Sequence, residues 1–442
     1  MTSPDNASDF LAALRERSAT TSGVFRLPDN RLAIFEPGAA RRVAAENWRD
    51  IVIPDRLVDL LRRRPSPAVP WRLVRREWLR RQHTLITGPY NEAMSRRMAA
   101  VLDAHCGQTT DLTMLAQETA VCSLLPVVVA GLSARDTTRL QRDLHQKVIR
   151  LIALKPRRKP WQSAAFLYTQ IRAGRVIRHE LRHRSSGTRA RQVDLTDPLV
   201  DMLDALGPDR AMSAIMSVLT AIAGPPGAAA GCLLYALQHH PEWADRITAE
   251  LAHVDDGDFF ADPVHSAPVT VRVVKEVLRL WTPPLLLARE ARRDFDIAGE
   301  TLRDGDGFLL SPHMIHRDPR FWRHPDEFHP DRWLPGSLDG PTDRWHYVPF
   351  GWAPKSCIGA DVGTVQLVLF AHLVTTRYRI QVADGCEPQL VYRFVAVPQD
   401  FRGMVVPRQP RSHIGHLRPS SAAQTSEQDS SQCPRHRRGV VE

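Results

Sequence analysis

The sequence predicts a mainly α protein with small β-sheets. Long stretches carry apolar residues at helical spacing, a short hairpin pattern lies near the start, and the texture changes to brief β-type runs after Pro284. Val24–Leu27 and Leu32–Phe35 flank Pro28-Asp29-Asn30 and read as the hairpin. Helical spacing then runs through 39–48, 56–64, 75–86, 91–104, 111–132, 137–154 and 163–184. It continues through 198–240 with a break, then 243–252 and 269–280. Short strands are expected at 285–289, 294–297, 300–302 and 307–311. A last helix over 361–374 precedes strands at 378–382 and 390–394.

With 442 residues, no mid-chain linker and no internal repeat, one large domain is expected over 21–408. Residues 1–20 are polar and read as a flexible N-terminus. Residues 409–442, rich in Ser, Gln, Arg, His and Pro, read as a disordered tail. Six cysteines without a C-x-x-C pair argue against a disulfide framework or structural zinc and suit a reducing, cytoplasmic setting. The N-terminus holds no apolar run long enough for a signal sequence or a membrane span. The net charge is +10, but the Arg residues fall on helical faces without a nucleic-acid motif, so no nucleic-acid partner is expected. Basic clusters stand at 62–64 with 72–81, and at 155–159 with 172–184. Each reads first as a solvated helix face; the former also suits an acidic protein partner.

Chemistry concentrates in Tyr347-Val-Pro-Phe-Gly-Trp-Ala-Pro-Lys-Ser-Cys357-Ile-Gly359. A lone cysteine is usually a buried apolar residue. Here a Gly/Pro-punctuated loop delivers it to the start of an apolar helix, whose unpaired N–H groups favour the thiolate, the form that binds metal. Upstream, Glu276-Val-Leu-Arg279 sets carboxylate and guanidinium on one helix face. Between the two lies Pro325-Asp-Glu-Phe328-His-Pro330-Asp-Arg332-Trp333.

These three segments, in this order, resemble the cytochrome P450 family over roughly residues 20 to 408. The resemblance implies the cytochrome P450 fold, haem b as cofactor and Cys357 as the axial ligand of its iron. It implies that Phe350 packs beside the thiolate, that Gly359 lets the macrocycle approach, and that Lys355, in place of Arg or His, faces a propionate. It also implies a buried network of Glu276, Arg279 and Arg332 bracing the loop. Arg289 follows Leu285–Ala288 where the family places a propionate-binding Arg. Over 78–90 the family has His or Trp, an Arg four residues on and an aromatic seven further. The register placing Leu79, His83 and Tyr90 there makes His83 a propionate donor, with Trp78 or Arg80 serving if it slips by one. The chain departs from the pattern at Ala353, Gly363 and Gln366, where the family often has Gly, Ala and Glu.

The larger departure lies in the central helix, where the family carries an acid followed by an alcohol. This chain reads Ala223-Gly224-Pro225-Pro226-Gly227, and neither Gly224–Pro225 nor Pro226–Gly227 supplies either group. Thr220 lies about a turn earlier. Two prolines inside a helix would kink it, at about 3 kcal/mol each. The resemblance implies a mono-oxygenase inserting oxygen from O2 into a C–H bond of a lipophilic small molecule, in terpenoid or polyketide secondary metabolism. Electrons would come from a ferredoxin and ferredoxin reductase. The missing pair leaves open a peroxygenase, a desaturase or coupling enzyme, an isomerase, or a non-catalytic haem-binding protein.

Overall fold

The computed structural model describes residues 5–49, 51–52, 71–152 and 160–408. The expected helix at 56–64, the basic residues 62–64 and 155–159, and the tail 409–442 lie outside the described residues. The segment expected to be flexible at the start is instead helical from Asp5, forming α1 (Asp5–Thr20). Its polar composition hides a narrow apolar stripe: Leu11 and Leu14, three apart, are buried. Arg15 adds a bidentate pair with Asp326 at 2.8 and 2.7 Å.

β1 (Val24–Arg26) and β2 (Leu32–Ile34) make the expected hairpin. α2 (Pro37–Glu46) starts where the Glu36 carboxylate accepts from the Gly38 and Ala39 N–H groups. β3 (Ile51–Val52), α3 (Trp71–Leu85), α4 (Gly88–Ala104) and β4 (Thr109–Asp111) follow. Next come α5 (Leu112–Val128), α6 (Ala134–Ile152) and α7 (Pro160–Ser185). The stretch expected as one broken helix is four: α8 (Asp197–Asp201), α9 (Leu203–Leu206), α10 (Pro208–Ile222) and α11 (Pro225–His239). α12 (Pro241–Leu251), the short α13 (Asp256–Ala261) and α14 (Pro263–Ser266) lead into α15 (Pro268–Leu280). Glu250 caps α15, accepting from the Val269 and Thr270 N–H groups at 2.6 and 3.0 Å.

The β portion begins with β5 (Leu287–Ala291), β6 (Phe295–Ile297), β7 (Glu300–Leu302) and β8 (Gly307–Leu310). α16 (Pro312–His316) and α17 (Ala360–His372) precede β9 (Tyr378–Val382), β10 (Gln389–Tyr392), β11 (Ala396–Gln399) and β12 (Arg402–Pro407). The largest sheet has the order β1-β2-β8-β5-β3, with β2 and β8 parallel and the other pairs antiparallel. β4, β12 and β9 form a second sheet, and β6–β7 and β10–β11 are two-stranded.

One continuous apolar core runs from Leu11 to Val405. α5 and α11 are apolar nearly all round, as helices buried on every side must be. Residues 208–239 together are long and apolar enough to cross a membrane by composition. They are, however, broken at Ala223–Gly224 and mostly buried against other elements.

Candidate active site

The loop ahead of α17 is folded back on itself: the Cys357 N–H donates to the Phe350 carbonyl at 2.7 Å, and Gly359 caps the helix. This leaves the thiol accessible beside half-buried Phe350. Arg75, near the start of α3, grips the residue before it, donating to the Ser356 carbonyl at 2.7 Å and its hydroxyl at 3.0 Å. Protein around the sulfur raises the thiol pKa through lost hydration; the Gly359 N–H and the Arg75 charge oppose this without cancelling it. The expected lowering at the helix start is therefore present but outweighed. A bound metal ion would reverse the balance, because a coordinated thiol is deprotonated outright.

The bracing network is assembled from distant segments. Glu276 Oε1 accepts from Arg279 Nη2 (2.8 Å), Arg332 Nε (2.9 Å) and the His329 N–H (3.0 Å). Its Oε2 accepts from Arg279 Nε and Trp333 Nε1, both at 3.0 Å. The side chains of Glu276, Arg279 and Arg332 are fully buried. Their remaining guanidinium N–H groups go to backbone carbonyls, Arg279 to His316, Pro325 and Glu327, and Arg332 to Arg323, Asp339 and His324. Buried charges are tolerable only when donors and acceptors are satisfied in this way.

His316, which the sequence reading overlooked, joins this network to the cysteine loop. Its Nε2 accepts the Val348 N–H at 2.8 Å, so Nδ1 carries the proton and donates to the Arg279 carbonyl at 3.2 Å. Burial, reinforced by the Arg279 charge, pushes its pKa down to about 3 and keeps the ring neutral. Tyr347 stacks on it at 5.4 Å. The only sequence signal was position, within the Ser311–Asp318 segment preceding the Pro325–Trp333 motif.

The expected haem contacts divide. Arg289 on β5 is largely desolvated, which lowers its pKa, and its Nη1 donates to the Ala288 carbonyl at 2.8 Å. Among the described residues no carboxylate pairs with it. Lys355 Nζ donates to the Ile51 carbonyl at 2.7 Å. His83 is exposed in the last turn of α3, eight residues and about 12 Å along the axis from Arg75. The structure does not bring it to the loop. Nor do the slipped registers serve: Trp78 is buried with Nε1 on the Leu195 carbonyl, and Arg80 pairs with Glu77 in solvent. The missed signal was Trp71 with Arg75, an aromatic followed by Arg four residues on, which fits the first two places of the pattern but sets Gln82 on the aromatic one.

At the central break, Pro225 and Pro226 occupy the first two positions of α11. There their missing N–H groups cost nothing, because the first helical turn has no intrahelical acceptors. The expected kink penalty of two prolines within a helix therefore does not arise. Gly224 takes φ 125°, a backbone conformation open to glycine. Its carbonyl accepts from the Ala228 N–H at 2.8 Å and from Gln117 Nε2 of α5 at 3.2 Å. A Cβ on Gly227 would stand 2.6 Å from the Gln117 Cα, so α5 and α11 meet almost backbone to backbone. Thr220 is exposed, and its hydroxyl donates to the Met216 carbonyl one turn back at 2.8 Å. Gly224, Pro225, Pro226 and Gly227 carry no acid or alcohol into the break.

A family model described as Cytochrome P450 matches residues 136–403. The chain belongs to the cytochrome P450 family. Proteins of this family bind haem b, and their characterised members are oxidoreductase mono-oxygenases. Cyclooctatin synthase of Streptomyces melanosporofaciens is 36% identical over 116 residues, 26% of this chain and 25% of that protein. Sterol 14alpha-demethylase of Mycolicibacterium vanbaalenii is 28% identical over 156 residues, 35% and 34% of the two chains. The chain thus spans about a third of the length of the curated relatives it matches. A zebra fish cytochrome P450 solved with progesterone superposes with a TM-score of 0.74, covering 90% of this chain and 99% of that one at 20% identity. That likeness shows the cytochrome P450 fold.

The residues present fit a haem. One exposed cysteine stands at a helix start, and beyond the adjoining chain nothing lies within 4 Å of the place a Cβ on Gly359 or Gly363 would occupy. A desolvated guanidinium, Arg289, lacks a carboxylate, as a partner for a buried propionate should.

Proposed function

We propose that this chain is a haem-thiolate mono-oxygenase that inserts one oxygen atom from O2 into a C–H bond of a lipophilic small molecule. The observation that carries the reading is the accessible Cys357 thiol on a loop braced by the buried Glu276–Arg279–Arg332 network. Cys357 would hold the iron, and Arg289 and Arg75 would stand for the propionates. Iron ligated by a thiolate supplies dioxygen activation, the sulfur's electron donation favouring O–O cleavage. This chain's own residues hold the sulfur in place, through the Cys357 N–H bond to Phe350, the Arg75 grip on Ser356 and the His316 link to Arg279. Half-buried Leu286 and the exposed Phe394 offer apolar surface to a substrate. A role in secondary metabolism is consistent with the likeness to cyclooctatin synthase. Exposed Arg72, Arg76 and Arg80 on α3 suit an acidic ferredoxin, supplied by its reductase in the cytoplasm.

A second reading is favoured by the break between α10 and α11. With no acid or free alcohol there, a reaction that needs no protein proton relay, such as peroxide-driven oxygenation, desaturation, coupling or isomerisation, fits the same site. Turnover separates the two. Product formed with NAD(P)H, ferredoxin reductase and ferredoxin supports mono-oxygenation; product formed solely with peroxide, or without reductant, supports the second. Haem uptake with no turnover across a broad lipophilic panel would leave a non-catalytic haem protein.

A further inference from the structure

His179 and His183 stand one turn apart near the end of α7, on its solvent side, with their Nε2 atoms 3.2 Å apart. Spacing of i and i+4 places side chains on one helix face, and the two rings lie edge to face with centroids 4.2 Å apart. The Thr188 hydroxyl lies 2.6 Å from His183 Nδ1, with the His183 carbonyl at 3.2 Å and Ser186 Oγ at 3.0 Å as its further partners. In the tautomer with the ring proton on Nδ1, donated to Thr188, the His183 Nε2 lone pair faces Nε2 of His179. In this arrangement a hydroxyl bonded to one ring nitrogen fixes the tautomer and aim of an imidazole that binds metal through the other.

We propose that His179 and His183 form a two-imidazole site for a divalent transition-metal ion, with Thr188 as its positioning residue. Two nitrogens each about 2.0–2.1 Å from a tetrahedral ion lie about 3.3 Å apart, close to the separation found here. The ion takes the place of the single proton that can sit between the two nitrogens. Neutral imidazoles select copper, nickel and zinc over magnesium and calcium, and copper binds most tightly of these. No third His, Cys, Asp or Glu completes a three-ligand cluster among the described residues, so water fills the remaining positions. Of the neighbouring charges, Arg178 is paired with Asp209 at 2.6 Å and Glu180 is occupied by Arg184 and Arg189, while exposed Arg175 and Arg182 flank the pair and select for an ion bound through ring nitrogens over one held by charge. A bound ion would staple the last turns of α7 just before Arg184, whose guanidinium is buried between Glu180 and Asp194.

Copper(II) titrated into the purified holoprotein, followed by calorimetry and electron paramagnetic resonance, tests this without reference to catalysis. The expected result is one nitrogen-ligated equivalent lost in both His179→Ala and His183→Ala. Thr188→Val should weaken it about tenfold. Both histidine rings face solvent, so these variants should retain the parent's circular dichroism. Other imidazoles, such as His413 and His416, cancel in the comparison. Identical isotherms and resonance spectra for the parent and the His179→Ala/His183→Ala double variant would overturn the proposal.

Discussion

Replacing His316 by Leu keeps the volume of the ring but removes both of its hydrogen bonds. The Val348 N–H and the Arg279 carbonyl, bound now at 2.8 and 3.2 Å, would be left buried without partners. Each such orphan costs about 1–3 kcal/mol, roughly 2–6 kcal/mol together, from which burying Leu returns about 1–2 kcal/mol. A net loss of about 2 kcal/mol, near the middle of that range, raises local opening of the loop some 30-fold, at about 1.4 kcal/mol per decade. Amide hydrogen exchange over 347–351 should therefore accelerate about 30-fold, with Val348 most affected, while α5 exchanges as before. In the ferrous carbonyl complex, part of the red-shifted Soret band should be lost as the sulfur wanders. His316→Asn, which retains a donor and an acceptor, should recover part of both signals. Unchanged exchange at Val348 in His316→Leu would refute the link between the buried network and the cysteine loop.

Cys357→Ser should abolish the red-shifted carbonyl band; a retained band would contradict the ligand assignment. Arg279→Ala removes two of the five hydrogen bonds on the buried Glu276 carboxylate and leaves the His316 and Pro325 carbonyls without that donor, at a cost of about 3–5 kcal/mol, so little folded holoprotein should accumulate, and normal haem loading would count against the brace. Acid should destabilise the fold early. His316 titrates near pH 3 when folded and near 6.5 when unfolded, so the unfolded chain binds more protons between those values. Its contribution, up to about 5 kcal/mol, is complete above pH 6.5 and is lost as pH falls toward 3. Denaturant midpoints should drop across this window and drop less in His316→Asn; a flat profile from pH 6.5 to 4 would contradict the depressed pKa. Arg289→Ala, lacking the desolvated guanidinium, should release haem to apomyoglobin several-fold faster, and unchanged release would remove Arg289 from the cofactor contacts.

Long helices with strong apolar periodicity were legible in the sequence, within a few residues at their ends, because burial on one face imposes that spacing. The helix at 5–20 was not, because two leucines and a salt bridge to Asp326 hold it rather than a broad apolar face. Cys357, Glu276, Arg279 and Arg332 were legible because loop chemistry and charge order mark them. His316 was not: its role depends on Val348 and Arg279, 32 and 37 residues away, which no local pattern announces. Arg75 was less legible, because the register that sets an aromatic, Tyr90, on the last place of the pattern starts eight residues, about two helical turns, further on. The two prolines were read as strain because their position inside or at the start of a helix cannot be told from spacing alone.

The near-contact of α5 with α11 also limits what protein engineering can restore. A threonine grafted at position 227, where one register of the family pattern sets an alcohol, would drive its first carbon into the main chain of Gln117. Placing a hydroxyl at that position would therefore require redesigning α5 and α11 together.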